Sequence, residues 1–349
     1  TEGDIIVIGI SSNTTGTGKV KVYKNINNTW ILHGDILSGS NNSAFGYSVS
    51  INGSGSRIAV GATDSNTDGE IFIYDYNSSS NTWTQVGNSI AGEDSMLGNA
   101  DNFDNFGLKV ILNKVGDIVF GSCPFNSYLQ GHIRAFSYSS NTWTQLGNDI
   151  VPNLSGSIGY FYDIDDSGHK IAVGNSSNDN SATNAGEIIV YEYIDGSWTQ
   201  IGSTIPGRNA GDSISRVSLN SDGKILAVGE QMVDSNGNTN NGTVRIFNYS
   251  SNDWTLTSEI TGEVSNKQFG KRVHLNSNGD EILVCDDYTA ASQTVYLYKN
   301  NNNLWTLEKK FESVDQNSYY GYSITSSDNF NKIMISAYTN SQMIGKIYI

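Results

Sequence analysis

A chain of 349 residues is long enough for two average domains, yet all-β rings of this size also fold as one unit. Glycine contributes 37 residues and proline only 3, and Asn, Ser and Thr abound, which suits many short strands joined by tight polar turns and speaks against helix-rich classes. The formal charge of −15 opposes phosphate backbones and anionic head groups, so nucleic acid is a poor partner, and no apolar run is long enough to span a membrane as a helix.

The chain opens on a β-branched run, Ile5-Ile6-Val7-Ile8-Gly9, and this run returns in every unit, for example as Ile58-Ala59-Val60-Gly61, Ile118-Val119-Phe120-Gly121, Ile171-Ala172-Val173-Gly174 and Leu226-Ala227-Val228-Gly229. An unbroken apolar run this short reads as a strand buried on both faces. A Gly-led alternating strand follows it, as in Glu70-Ile71-Phe72-Ile73-Tyr74, with the pattern of a strand half-buried on one side. A short polar turn then leads to a tryptophan strand, and Trp30, Trp83, Trp143, Trp198, Trp254 and Trp305 are one repeated position. Each unit begins with an aromatic-Gly strand: Phe45-Gly46, Phe106-Gly107, Phe269-Gly270 and Tyr320-Gly321, with Ile158-Gly159 and Ser213-Ile214 at that place in two others. Turns such as Asn52-Gly53-Ser54-Gly55 and Asn220-Ser221-Asp222-Gly223 join it to the apolar run.

A period of about 50 residues marks a propeller or solenoid, and four antiparallel strands per unit with no capping repeat favour the closed ring. The expected fold is therefore all-β, a seven-bladed β-propeller of four-stranded antiparallel blades in a single domain, 1–349, with units at about 1–38, 39–92, 93–151, 152–206, 207–262, 263–313 and 314–349. Apolar runs and Gly-led strands number seven each, but aromatic-Gly and tryptophan strands number six each. The first and last blades are thus expected to be incomplete, with edges that attract a strand from flanking residues or a neighbouring subunit. A six-bladed parse would instead close the first blade with Tyr320 to Ser326.

Phe45-Gly46-Tyr47-Ser48-Val49, the turn, and Ile58-Ala59-Val60-Gly61-Ala62 together resemble the FG-GAP repeat of integrin α-subunit propellers. The whole unit, with its Trp-Thr-Gln strand, is similar to secreted propeller proteins of marine microbes and algae. The resemblance implies a seven-bladed ring with an extracellular or surface role. Calcium-binding members of that family carry an acidic loop where this chain has Asn-Gly-Ser-Gly-like turns, so their metal sites do not transfer.

Asp64, Asn66 and Asp68 alternate ahead of Gly69 as oxygen ligands of a calcium loop do, although Asp75 then falls on a strand and cannot close the loop. Asp163 and Asp165 belong to an acidic version of the inner turn and form a weaker calcium candidate; no other cofactor is expected. The four histidines, His33, His132, His169 and His274, occupy four different repeat positions, which speaks against zinc. The repeated tryptophans read as packing between blades, while Tyr128 and Tyr288, outside the repeat positions, are the better contact residues. Cys123 and Cys285 read as free, packed thiols.

No nucleophile elbow or metalloprotease helix is present. The expected function is a non-catalytic module at the cell or virion surface or outside the cell, serving protein interaction, adhesion or structural assembly. A glycan-binding lectin-like propeller and a propeller enzyme with carboxylates at the channel mouth are the alternatives.

Overall fold

A computed structural model describes the chain outside residues 1–2, 12–16, 42, 64–67, 94–104, 125–130, 152–157, 177–178, 215, 288–292, 314–318 and 339–344. The regular structure of the described residues is all strand, in seven small antiparallel sheets that form a seven-bladed β-propeller. In blade 2 the inner strand Phe45–Ile51 pairs with the apolar strand Arg57–Ala62, which pairs with Glu70–Asn77 and then with the outer strand Thr82–Gln85. Blades 3 to 6 repeat that order, with inner strands Val110–Leu112, Phe161–Ile164, Arg216–Leu219 and Arg272–Leu275.

Blade 7 consists of Ile324–Ser326, Ile333–Tyr338 and Gly345–Tyr348, with no outer strand among the described residues. Blade 1 is built from Ile5–Ile10, Thr17–Ile26 and Thr29–Leu32, with Leu37–Asn41 also paired to its second strand, and has no inner strand among the described residues. Ile324–Ser326 pairs within blade 7 and not with blade 1, which removes the six-bladed parse.

The seams are the core. Each of the six seams from blade 1/2 to blade 6/7 carries its own cluster of buried apolar side chains, such as Ala59, Ile71, Phe106, Val119 and Trp143 between blades 2 and 3. The apolar strands of blades 2 to 6 are buried almost throughout because a sheet covers each face. At the aromatic position Phe45, Phe106 and Phe269 are buried, as are Ile158 and Ile214. Ile214 bridges to Gly186 as Phe106 bridges to Gly69, so the unit expected to place Ser213-Ile214 there is shifted by one residue.

The tryptophans tie blades together. Trp83, Trp143, Trp198 and Trp254 are buried, and their indole nitrogens donate to the carbonyls of His33, Val86, Leu146 and Ile201 on the preceding blade. The glycine after each of those carbonyls carries a positive φ; at Gly87 it is +71°, and a Cβ there would lie 2.9 Å from Trp143 Cδ1. Trp30 and Trp305 are only half-buried.

At the end of the ring where inner strands turn back, one buried side chain organises each turn. Asn52 Oδ1 accepts the amides of Ser56 and Arg57, and Asn113, Asn220 and Asn276 do the same in their own turns. Successive turns are joined by backbone hydrogen bonds, Gly53 to Lys114, Lys114 to Asp166, Asp166 to Ser221, Ser221 to Ser277 and Ser277 to Asp328.

Candidate functional site at the channel mouth

The inner strands place side chains at fixed offsets from the turn-capping residue, so equivalent positions in different blades face one another across the channel. Five residues ahead of Asn52, Asp165 and Ser327 stand Tyr47, Tyr160 and Tyr322. Burial raises the pKa of Tyr47 and of Tyr160, and Tyr322 raises the first further, as Tyr47 does the second. Hydroxyls from blades 2, 4 and 7 therefore lie within electrostatic reach at one mouth.

One position deeper, four residues ahead of Asn113, Asn220 and Asn276, stand Lys109, Arg216 and Arg272. Burial lowers the Lys109 pKa to about 8; the positive charges of Arg272 and Arg216 push the same way and Asp163 opposes. Blades 3 and 6 lie on opposite sides of the ring, so Lys109 and Arg272 interact only because both reach into the channel. Arg216 lies over the Phe161 ring at 3.6 Å, and Arg272 Nε donates to the Tyr322 carbonyl at 3.1 Å. The Lys109 ammonium donates to the Tyr162 carbonyl, and the Tyr162 hydroxyl returns a bond to the Lys109 carbonyl at 2.8 Å.

Two residues ahead of the turn come Ser50, Asp163, Ser218 and His274. Ser50, Asp163 and Ser218 accept from the amides of Leu112, Leu219 and Leu275 on the next blade, at 2.9, 2.9 and 3.0 Å. His274 Nε2 meets Ser326 Oγ at 3.0 Å; burial lowers its pKa, and Asp163 opposes that shift. His274 is therefore held in its neutral form, and Asp163 is near enough to favour the imidazolium when a proton arrives. The mouth thus stacks tyrosine hydroxyls over cations over an Asp/His layer.

A cavity of about 880 Å³ opens at the other end of the ring, lined by Asp4, Gly53, Lys114, Ser277, Asp328 and Lys332 among others. Its charges are already matched: Lys114 pairs with Asp166 and Asp328, and Lys332 with Asp4. The tyrosine mouth, where among the described residues Lys109, Arg216 and Arg272 face Asp163, is the stronger site for a charged ligand.

The residues expected to bind calcium are placed differently from one another. Asp64 and Asn66 lie outside the described residues, and the Asp68 carbonyl accepts the Phe106 amide at 2.8 Å. Asp165 caps its turn by accepting the His169 and Lys170 amides at 3.0 and 2.9 Å, while Asp163 braces blade 5. Tyr128 and Tyr288 also lie outside the described residues. Cys123 and Cys285 are buried free thiols. Among the described residues one group has metal-ligand character, Glu93, His132 and Asp149, with donor atoms within 4.8 Å of one another. Sequence spacing gave no sign of it, because Glu93, His132 and Asp149 lie far apart within their unit and form no metal-binding motif. Arg134 Nη1 stands 3.4 Å from Glu93 Oε1 and Gln145 donates to Asp149 at 2.7 Å, so protein groups already serve these carboxylates.

The cations were missed from sequence because each is one of several basic residues in its own repeat and no motif within the repeat singles it out. Their shared offset from the turn asparagine was the available signal.

No protein-family model and no curated protein sequence matches the chain. Among solved structures, a candidate 6-phosphogluconolactonase from Bacteroides uniformis superposes with TM-score 0.64 at 11% identity, over 98% of this chain and 94% of that one. The periplasmic gluconolactonase of Pseudomonas aeruginosa gives 0.59 at 11% identity, over 99% and 94%. Hydrazine synthase of Kuenenia stuttgartiensis gives 0.60 at 9% identity, over 97% and 94%. At such identities the likeness shows the fold, a seven-bladed ring, and not a shared chemistry. Their names nevertheless correct the expectation of a non-catalytic protein-interaction, adhesion or structural module: these three similar rings bear the names of enzymes, two of them lactonases. The enzyme alternative is the better supported, with cations where channel-mouth carboxylates were expected.

Proposed function

We propose that the chain is a propeller hydrolase that opens a small lactone bearing a carboxylate or phosphate, bound at the tyrosine-rimmed mouth. The observation that carries this reading is the convergence of Lys109, Arg216 and Arg272 from three blades in a chain of net charge −15. Such a local reversal of the field selects and concentrates an anion. Guanidinium groups also present paired donors that match a carboxylate or phosphate. The lactonase names among the similar structures supply the reaction class.

Hydrolysis joins a water oxygen to the carbonyl carbon, moves one of its protons to a base, and breaks the ring C–O bond, whose oxygen takes a proton back. His274 is the base this site offers, with Asp163 steadying the imidazolium. Arg216 and Arg272 stabilise the oxyanion as charge develops on the carbonyl oxygen.

The test is proton release from δ-gluconolactone and its 6-phosphate, measured against the spontaneous rate. Acceleration that falls by about 100-fold or more in Arg216→Ala and in His274→Gln supports the reading, since one lost transition-state donor or base costs that much. Anion binding at the mouth with no acceleration on either lactone would refute the enzyme and leave a binding site.

A further inference from the structure

Blades 3 and 5 carry the same buried cation at the end of the ring away from the inner turns. Arg134 and Arg245 are each the third residue of the third strand, His132–Ser139 in blade 3 and Thr243–Ser250 in blade 5. Arg134 Nη2 donates to the Ala91 carbonyl and Arg245 Nη2 to that of Pro206, each at 3.0 Å, on the connection arriving from the preceding blade. A glycine follows on both connections, and its amide donates to a glycine of the preceding blade, Gly92 to Gly69 at 2.8 Å and Gly207 to Gly186 at 2.9 Å. The next residue is Glu93 on one connection and Arg208 on the other. The outer segments match as well: Ile150 pairs with Ile133 and Ile260 with Val244, so Asp149 stands where Glu259 stands.

The charges at these equivalent positions balance in one blade and not in the other. In blade 5, Arg208 pairs with Glu259 and Arg245 with Glu230, two cations against two carboxylates. In blade 3, Cys123 takes the place of Glu230, since Cys123 faces His132 as Glu230 faces Thr243, and Glu93 takes the place of Arg208. Arg134, 3.4 Å from Glu93, brings one positive charge to two carboxylates, and Gln145, which donates to Asp149, brings none. Where blade 5 has an acid facing an arginine, blade 3 thus has two acids, and His132, 3% exposed, joins them. One donor atom from each of the three lies within 4.8 Å of the others. Two converging carboxylates repel unless a cation stands between them, and an imidazole nitrogen with two carboxylate oxygens is a donor set for a divalent transition-metal ion. The scatter of the four histidines spoke against a site that needs several of them; this one uses a single histidine.

We propose that Glu93, His132 and Asp149 bind one divalent transition-metal ion of the zinc type, which does at the seam of blades 2 and 3 what the Arg208–Glu259 ion pair does at the seam of blades 4 and 5. It ties the incoming connection to the outer edge of the blade. The imidazole supplies a nitrogen, each carboxylate supplies an oxygen, and water completes the shell. Buried His132 fixes the position of the ion, and the exposed Glu93 side chain closes onto it. The site lies outside the inner strands that carry Lys109, Arg216 and Arg272, and the proposal does not depend on the reaction at the channel mouth.

The probe is zinc chloride, titrated into the 349-residue chain after treatment with a chelator and dialysis. Expected are saturable one-to-one binding by calorimetry and a melting temperature that climbs with zinc concentration. Calcium should bind at least about tenfold more weakly, because one donor is an imidazole nitrogen. Asp149→Asn, at a half-buried position, should weaken zinc binding at least about tenfold. Glu93→Arg copies the blade 5 arrangement: it should abolish zinc binding and leave the metal-free chain at least as stable as its parent, because the guanidinium then pairs with Asp149 as Arg208 pairs with Glu259. The proposal is overturned if zinc does not saturate, which is also the result if His132 balances the charge as an imidazolium. Calcium binding as tight as zinc, zinc binding that survives either substitution, or a Glu93→Arg chain less stable than the metal-free parent would overturn it equally.

Discussion

Trp198 Nε1 donates to the carbonyl of Leu146 at 2.8 Å, which pins the outer strand of blade 4 to that of blade 3. The same backbone point is fixed from the other side, because the amide of Trp198 donates to Asn148 Oδ1 at 3.1 Å, and Gly147 between them has a φ of +74°. Trp198→Phe keeps the ring contact with Phe120 and Tyr193 but strands the Leu146 carbonyl. The expected loss is about 1–3 kcal/mol, the cost of an unsatisfied buried acceptor, read as a lower denaturant midpoint at unchanged slope. Gly147→Ala should cost at least about 1 kcal/mol through its backbone conformation.

A buried ion pair in the next blade makes a sharper test of polar burial. Glu230 is fully buried and pairs with Arg245, whose side chain is 7% exposed; Arg245 Nη2 also donates to the Pro206 carbonyl at 3.0 Å. Burial raises the Glu230 pKa and lowers that of Arg245, each against the attraction of the other. Glu230→Gln leaves the guanidinium buried without its counter-charge and should cost about 3–5 kcal/mol, whereas the double change Glu230→Met with Arg245→Met should be far less harmful. Urea unfolding of the two variants beside the parent chain checks it; a double variant as unstable as Glu230→Gln alone would count against the charge explanation.

The ring and its strand inventory were legible from sequence because each blade repeats one pattern. Ile58-Ala59-Val60-Gly61 and its copies had to be strands covered on both faces, and six Trp positions against seven apolar runs already implied two incomplete blades. The channel mouth was not legible. Lys109 and Arg216 are 107 positions apart along the chain and Arg216 and Arg272 are 56 apart, and the closed ring brings them within charge reach. Asp163 and Asp165 illustrate the converse, since their acidic spacing suggested a cation while their oxygens accept backbone amides. A ring turns sequence distance into blade number, and pairwise spacing within one repeat does not report what faces it across the axis.

Lys109 gives the candidate site a pH signature. Its folded pKa of about 8 lies below the ordinary lysine value of 10.5, so between those limits the unfolded chain binds more protons and stability rises with pH. Anion binding runs the other way, because it needs the ammonium: affinity for inorganic sulfate, a dianion throughout this range, should fall as pH rises through about 8. In Lys109→Met that inflection should vanish while Arg216 and Arg272 retain weaker, pH-flat binding over the same range. Calorimetric titration from pH 6.5 to pH 9.5 decides it, with an inflection that survives in the variant counting against Lys109.

Ile10 and Ile58 occupy the apolar strands of adjacent blades, and the same truncation at each reads out how differently they are covered. Ile58 is fully buried between blades 1 and 2, so Ile58→Ala removes buried methylenes and leaves a cavity, at a cost of about 2–5 kcal/mol. Ile10 is 46% exposed, although Ala62 at the same repeat position is 3% exposed, so little apolar surface returns to water when it is cut back, and Ile10→Ala should cost no more than about 1 kcal/mol. Paired denaturation curves measure both costs, and equal costs for the two substitutions would mean that Ile10 is as well covered in solution as Ile58.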